Sequence, residues 1–332
     1  MKFVKWLGII LLLLIIAYFL GPRPPLPKYD NHLPGIPADP LAIEKHIAFR
    51  ESKLKLKPDN EARIVWFNDS AKTKSDYAVV YLHGFSASQE EGDPVHQQFA
   101  KTFGCNLYLS RLAEHGIDTP EAMVSLTAEK LWNSAKEAYA IGKQIGKKVI
   151  VIGTSTGGTL ALKLATEFPE IAGLILLSPN IAINDPNAWV LNNHWGLQVA
   201  RLIKGKYNTS SDTTAMYKKY WYNRYRMEST VELEELLETT MKASIFEKVK
   251  QPTLLLYYYK DEEHQDKVVK VSAMKRMFRQ LGTPDSLKRE VATINTGDHV
   301  IGSYIKSKDV QTVINECEKF GKEILHLPPV NP

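Results

Sequence analysis

Short, almost wholly apolar runs recur along this chain, and helical patterns separate them. Few features restrict a polypeptide to so few folds. Tyr77–Leu82 (YAVVYL), Asn106–Leu109, Lys148–Ile152 (KVIVI), Ile171–Leu177, Thr253–Tyr259 and Arg289–Ile294 read as strands. Runs without polar alternation suit strands buried on both faces of a parallel sheet. Between them lie helical patterns over Gln89–Thr102, Ala128–Ile145, Thr156–Phe168, Val269–Leu281 and Lys308–Leu325. Strand and helix in alternation predict βαβ units, hence an α/β fold with a mostly parallel, doubly wound sheet. Arg63–Asn68 fits an antiparallel edge strand. One stretch breaks the rhythm: after Pro179 the next strand waits until Pro252. That interval holds Trp189, Trp195, Tyr207, Tyr217, Tyr220, Trp221, Tyr222, Tyr225 and Met227. It reads as a mostly helical insertion over about residues 180–250.

The 332 residues suit two domains, or one large α/β domain carrying an insertion. Hydrophobic residues at 44% and charged residues at 24% exclude a disordered or collagen-like chain. A mean hydropathy of −0.24 excludes a multi-span membrane protein. Two cysteines, Cys105 and Cys317, are too few for a zinc finger or an iron–sulfur site. They make one disulfide or two thiols. The net charge is +5, and Lys2, Lys5, Arg23 and Lys28 beside one apolar segment supply part of it. The body has no long basic run, so no nucleic-acid partner is expected.

That apolar segment, Trp6–Leu20, carries no charge and follows Lys2 and Lys5. It is a signal peptide or a signal anchor. A cut after Gly21 would put Phe19 at a position that wants a small residue, and Pro22 just beyond. No cysteine follows, which excludes lipoprotein processing. With no polar face, the run does not suit a core helix either. The expectation is an uncleaved single anchor over residues 1–21, with the body on the extracytoplasmic side. Cleavage would make the body secreted or periplasmic. Residues 22–40 are proline-rich and should be an extended linker. The body, 41–332, should begin with a helix over Leu41–Glu51.

The chemistry gathers at strand ends. Gly153-Thr154-Ser155-Thr156-Gly157 follows KVIVI directly and opens a helical stretch. This is the strand–turn–helix of a nucleophile elbow, in which a strained turn lifts a serine Oγ above the sheet. Gly153 and Gly157 lack Cβ atoms, so neighbouring backbone can pass close on both sides. The helix start aims N–H groups at developing negative charge. A glycine-rich turn with a capping Ser or Thr is the plainer reading, and this context disfavours it.

A serine nucleophile needs a base, and the base needs an acid that fixes its tautomer. In this architecture the chain order is Ser, acid, His. His264 and His299 come late enough. His264 sits in a charged loop, whereas His299 follows the last strand in Thr296-Gly297-Asp298-His299-Val300. His299 is therefore the candidate base. For the acid, Asp266 and Asp261 compete, with Glu262 and Glu263 less well placed. Asp266 is preferred because it stands immediately before the next helix, in a D-x-V-V context. The oxyanion hole needs two N–H donors: Thr156, after the nucleophile, and Phe85, in His83-Gly84-Phe85-Ser86 after YAVVYL. His83 should brace that loop.

These residues together resemble the α/β-hydrolase fold. The resemblance rests on His83-Gly84-Phe85, Gly153-Thr154-Ser155-Thr156-Gly157-Gly158, Asp266 before Val268-Val269, and Gly297-Asp298-His299. Leu112-Ala113-Glu114-His115-Gly116 is similar to a loop that often reads Pro-Gly-His-Gly. The chain looks closest to the carboxylesterase, monoacylglycerol lipase and serine aminopeptidase-like group, over roughly residues 60–325. The resemblance implies hydrolysis through an acyl-enzyme, with no cofactor and no metal. The insertion then becomes a cap. Its rings either pack the cap's own small core or line an acyl site for small-molecule esters with an apolar acyl group. No acidic cluster stands out to bind an amine, so a serine aminopeptidase comes second, beside an acyltransferase using the same triad. A non-catalytic binding member would lack one of these parts.

Overall fold

Side chains along the central strands alternate between two apolar layers, and this alternation builds the core. The computed structural model describes residues 2–330, with side chains from residue 3 onward. Met1, Asn331 and Pro332, which the expected anchor and body take in, lie outside the described residues, as does the Lys2 side chain. The chain begins with helices α1 (Lys2–Phe19) and α2 (Pro40–Glu51), then strands β1 (Arg63–Val65) and β2 (Ser75–Leu82). A 3₁₀ turn, Gln89–Gly92, precedes α3 (Val95–Thr102) and β3 (Asn106–Leu109). There follow α4 (Ala128–Ile145), β4 (Gly146–Thr154), α5 (Thr156–Glu167) and β5 (Gly173–Leu177). The cap holds α6 (Gly196–Lys204), β6 (Tyr207–Thr209), α7 (Ala215–Tyr220), β7 (Arg224–Arg226), α8 (Met227–Thr240) and α9 (Ala243–Phe246). The body resumes with β8 (Thr253–Tyr258), α10 (Val271–Gln280), β9 (Lys288–Thr293) and α11 (Val310–Glu323).

Seven strands form one sheet in the order β1-β3-β2-β4-β5-β8-β9. Only β1 runs antiparallel, against β3; the other pairs are parallel. Val79, Tyr81, Ile150, Ile152, Ile175, Leu177, Leu254 and Leu256 point into one layer, covered by α3 and α11. Ala78, Val80, Leu82, Val149, Val151, Leu174, Leu176 and Leu255 point into the other, covered by α4, α5 and α10. Registers place the carboxyl ends together. Leu82 pairs with Gly153, and Tyr258 with Thr293. The loops after β2 and β4 are therefore neighbours, and so are the loops after β8 and β9. The direction of strand addition reverses at the neighbouring pair β2 and β4, and such a switch point opens a crevice at the strand ends.

Several expected boundaries move. The helix expected over Gln89–Thr102 is split at Pro94, whose ring cannot donate to a helix interior. The edge strand stops at Val65, because the Phe67 N–H turns to the Asn106 side chain at 2.9 Å. The cap is not all helical: β6 and β7 form a short antiparallel ribbon. Cys105 and Cys317 are both free and buried, and burial pushes the Cys105 thiol up to about 12. The proline-rich stretch is extended but does not hang free. Tyr29, Leu33 and Ile36 pack on the core, and the Trp132 indole donates to Asp30 O at 2.7 Å. Lys136 Nζ donates to His32 O at 3.0 Å. The segment is a strap across α4 and α5.

Helix α1 is uncharged from Trp6 onward and exposed along its length. Among the described residues, no helix is long and apolar enough to cross a membrane. Its end meets the cap: the Trp195 indole donates to Ala17 O at 2.9 Å and the Trp195 N–H to Pro22 O at 2.9 Å.

Candidate active site

Ser155 caps the start of α5 with φ 52° and ψ −117°. A β-carbon makes this region costly, and it persists only where the surroundings enforce it. Here β4 delivers the chain from one side, α5 leaves on the other, and the Ser155 N–H donates to Leu177 O at 3.0 Å. Close approach demands the glycines. A Cβ on Gly157 would lie 1.9 Å from Leu82 O, and one on Gly153 would lie 2.5 Å from Gly157 O. A side chain at Gly157 would push the elbow away from β2, and one at Gly153 would push β4 away from the start of α5.

The structure brings Asp266 to His299. The His299 Nδ1–H donates to Asp266 Oδ2 at 2.6 Å. Asp266 is 1% exposed, and its other oxygen accepts the N–H groups of Val268 at 2.8 Å and Val269 at 3.1 Å. The two valines after Asp266 thus orient its carboxylate through their backbone. Asn184 and Lys270 tie this turn to the start of the cap, through Asn184 N–H to Val268 O and Lys270 N–H to Ala182 O. Asp261 goes elsewhere. Its side chain is 50% exposed and accepts from the His264 ring at 2.8 Å and from the Glu263 and His264 N–H groups. Glu262 bonds Tyr259 and Gln265 in the same loop. Burial lowers the His299 pKa, but the Asp266 carboxylate outweighs it, with Glu91 and Asp298 adding, so the net direction is upward. No hydrogen bond joins Ser155 Oγ to the His299 ring in this state; such contacts often tighten only with substrate.

The N–H groups of Phe85 and Thr156 find no acceptor among the described residues. Both flank Ser155, as the paired loops after β2 and β4 require. Two buried histidines brace the Phe85 loop. His83 Nδ1–H donates to Gly84 O at 2.8 Å, and its Nε2 accepts the Leu112 N–H at 3.0 Å. His115 Nε2 accepts the Ser86 N–H at 3.0 Å. Burial drives both below their ordinary range, His115 to about 4, so both are neutral at pH 7. Sequence reasoning missed Glu91. It is 2% exposed, lines the same space as Ser155 and His299, and accepts the Gly84 N–H. Nothing in the sequence separates it from Glu90.

Ser155, His299 and Phe85 open onto one cavity of about 850 Å³ beneath the cap. Its apolar wall comes mainly from the cap: Val190, Leu191, Ile203, Tyr225, Met227 and Leu233. Of the cap's rings, Tyr217, Trp221 and Tyr225 reach the cavity. Tyr222 instead bonds the Ile117 backbone, while Trp189 and Trp195 lie at the surface. Carboxylates also line it: Asp185, Asp212 and Asp298, with Lys306 holding Asp212 at 2.7 Å. Among the described residues no group of three or more His, Cys, Asp or Glu is placed to hold a metal ion.

A family model described as serine aminopeptidase, S33, matches residues 73–301. A thermostable monoacylglycerol lipase from Bacillus sp. (strain H-257) is 34% identical over 108 residues, 32% of this chain. The match spans 42% of that relative's length. Among solved structures, one reported for the metagenome-derived lipolytic enzymes LipS and LipT aligns with a TM-score of 0.63 at 19% identity. It covers 80% of this chain and 98% of the other. The Paleococcus ferrophilus monoacylglycerol lipase aligns with a TM-score of 0.55 at 15% identity, covering 78% of this chain and 99% of the other. At such identities the structures speak for the fold alone: a mostly parallel seven-stranded sheet with flanking helices.

Proposed function

We propose, for a chain that belongs to the serine aminopeptidase (S33) family of α/β-hydrolases, the hydrolysis of carboxylic esters at Ser155 through an acyl-enzyme. Ser155 Oγ attacks the ester carbonyl while His299 Nε2 takes its proton. The carbonyl oxygen gains its charge against the Phe85 and Thr156 N–H groups. The imidazolium then returns the proton to the departing alkoxide. Water repeats the sequence on the acyl-enzyme, again through His299, and releases the acid. Asp266 holds the Nδ1–H tautomer throughout, with its own carboxylate pinned by Val268 and Val269. The observation that carries this reading is that a strained elbow serine and His299, itself paired with Asp266 at 2.6 Å, open onto one largely apolar cavity.

The apolar cap wall favours acyl groups of medium to long chain. A panel of p-nitrophenyl esters of rising chain length, run beside aminoacyl p-nitroanilides, tests this. Turnover that rises from acetate toward octanoate, with little anilide cleavage, is expected. Preference for the anilides would favour the aminopeptidase reading, to which the carboxylates along the cavity lend a specific attraction for an amine. Transfer to an added alcohol in preference to water would favour an acyltransferase.

We also propose that α1 anchors the protein in a membrane, with the body on the extracytoplasmic side. At 18 residues it is about 27 Å long, near but below the roughly 20 residues a span needs. From Trp6 onward its surface is uncharged and exposed all round, with no protein layer to bury it.

A further inference from the structure

Glu91 is a buried carboxyl for which the proposed chemistry has no task. It sits in the 3₁₀ turn Gln89–Gly92, and that turn is fixed. His96 Nε2–H donates to Gln89 O at 2.9 Å, the Glu91 N–H donates to Ser88 O at 3.2 Å, and Tyr304 OH donates to Glu90 at 2.7 Å. The Glu91 carboxyl reaches from this turn to the back of the Phe85 loop, where Oε2 accepts the Gly84 N–H. The fit is close. A Cβ on Gly84 would stand 2.7 Å from both Glu91 oxygens and 3.0 Å from the Ser155 Cβ. Only glycine allows the carboxyl, the loop and the nucleophile to stand this near one another.

We infer that Glu91 is a positioning residue for the oxyanion hole: its carboxylate holds the His83–Gly84 peptide through the Gly84 N–H, so that the next N–H, that of Phe85, faces the oxygen of a substrate bound at Ser155. The inference rests on Ser155 being the nucleophile, as proposed above. Gly84 N–H and Phe85 N–H belong to successive residues, so fixing the first limits the swing of the second. A hydrogen bond to a charged acceptor is roughly twice as strong as a neutral one, so the ionised form holds the loop best. The charge does not spoil the reaction. Attack creates an oxyanion and an imidazolium together, and the Glu91 charge opposes the first while favouring the second.

The groups facing Glu91 are Tyr81 from β2, Tyr217 from α7 with Trp221 just beyond it, and Asp298 and His299 from the loop after β9. Glu90 and Asp93 flank it in its own turn. Burial raises the Glu91 carboxyl, and the Gly84 N–H, His299 and Trp221 restrain the rise, leaving it at about 7. Its charge in turn raises His299. Activity then needs a neutral His299 and is greatest with Glu91 ionised, and both conditions fail as pH falls. The acid limb of a log-rate profile should be steeper than a slope of 1 where the two groups titrate together.

The test is the rate of Ser155 labelling by a fluorophosphonate, whose phosphoryl oxygen enters the same hole, from pH 5 to 9. Glu91→Gln keeps an acceptor for the Gly84 N–H but has no charge. It should label about 10-fold more slowly near pH 8, with an acid limb of slope 1 displaced to lower pH. Glu91→Ala should label about 100-fold more slowly, within the range for losing one oxyanion donor. Should Glu91→Ala fail to fold, by near-ultraviolet circular dichroism, Glu91→Gln decides alone. Equal labelling in all three proteins, or a Gln variant that keeps the wild-type slope, overturns the inference. Labelling without ester turnover would defeat the ester reading and leave this one measurable. A wild-type chain that does not label at all would end both.

Discussion

At the level of single residues, the choice between two candidate acids shows what folding adds to sequence. Asp261 and Asp266 are both loop aspartates after the same strand, and composition cannot rank them. What separates them is backbone geometry: Val268 and Val269 offer two N–H groups to Asp266, while Asp261 folds back on His264. Asp266→Asn should therefore favour the wrong imidazole tautomer and lower kcat by up to about 10⁴-fold. Asp261→Asn should stay within a few-fold of wild type. Ester turnover of the two variants checks this, and reversed losses would move the acid to Asp261. The base carries a pH signature. The His299 pKa is raised in the folded protein, chiefly by Asp266 against the opposing effect of burial. In the proposed mechanism the neutral ring is the base, so kcat/KM should fall as pH drops through that raised value. In Asp266→Asn the His299 limb should move to lower pH, because the carboxylate that raised it is gone. Ser155, His299 and Phe85 were legible because glycine-rich turns at strand ends leave a sequence pattern. Glu91 was not, since a carboxyl beside other carboxyls reveals its burial only after folding.

At the level of elements, strands were easier to read than their edges. Apolar runs mark β2, β4, β5 and β8 because both faces of the sheet are covered, so every position is buried. Helix ends depend on local partners that no periodicity records, such as Asp39, whose side chain accepts the Ala42 N–H at the start of α2. The strap shows the same limit. Proline density implies extended chain over residues 22–40, of which Pro40 already opens α2, but not that Tyr29 packs on the α4–α5 face, edge-on to the Trp132 ring. Lys163 Nζ lies 4.4 Å from the centroids of both the Tyr29 and Trp132 rings, and Tyr29 OH bonds Thr239 at 2.7 Å. A chain truncated to start at residue 22 should keep this packing, and one starting at residue 41 should lose it. Losing Tyr29, Leu33 and Ile36 from the core face removes about 3 kcal/mol of apolar burial. The shorter chain should melt on the order of 5 °C lower, measured by calorimetry. Equal melting temperatures would mean that the strap contributes nothing to stability.

At the level of the whole molecule, alternating strand and helix allowed the architecture to be read before any contact was known. The sheet's switch point then places every functional loop at one end. The cap was harder, because its small core mixes helices with the β6–β7 ribbon and only some of its rings face the cavity. The proposal that α1 anchors the protein in a membrane is tested at this scale. The full chain should sediment with membranes, and the chain starting at residue 22 should remain in the supernatant. Recovery of a mature protein beginning near residue 22 would show cleavage instead of anchoring. All of these elements converge on one oxygen atom, and its reactivity is the most direct thing to measure. Wild-type protein and Ser155→Ala should be exposed in parallel to a fluorophosphonate and to p-nitrophenyl octanoate, with circular dichroism confirming the fold. Labelling and ester turnover in the wild type, with both abolished in a folded Ser155→Ala, is the expected result; a folded variant that still labels or still cleaves the ester would show that the nucleophile lies elsewhere.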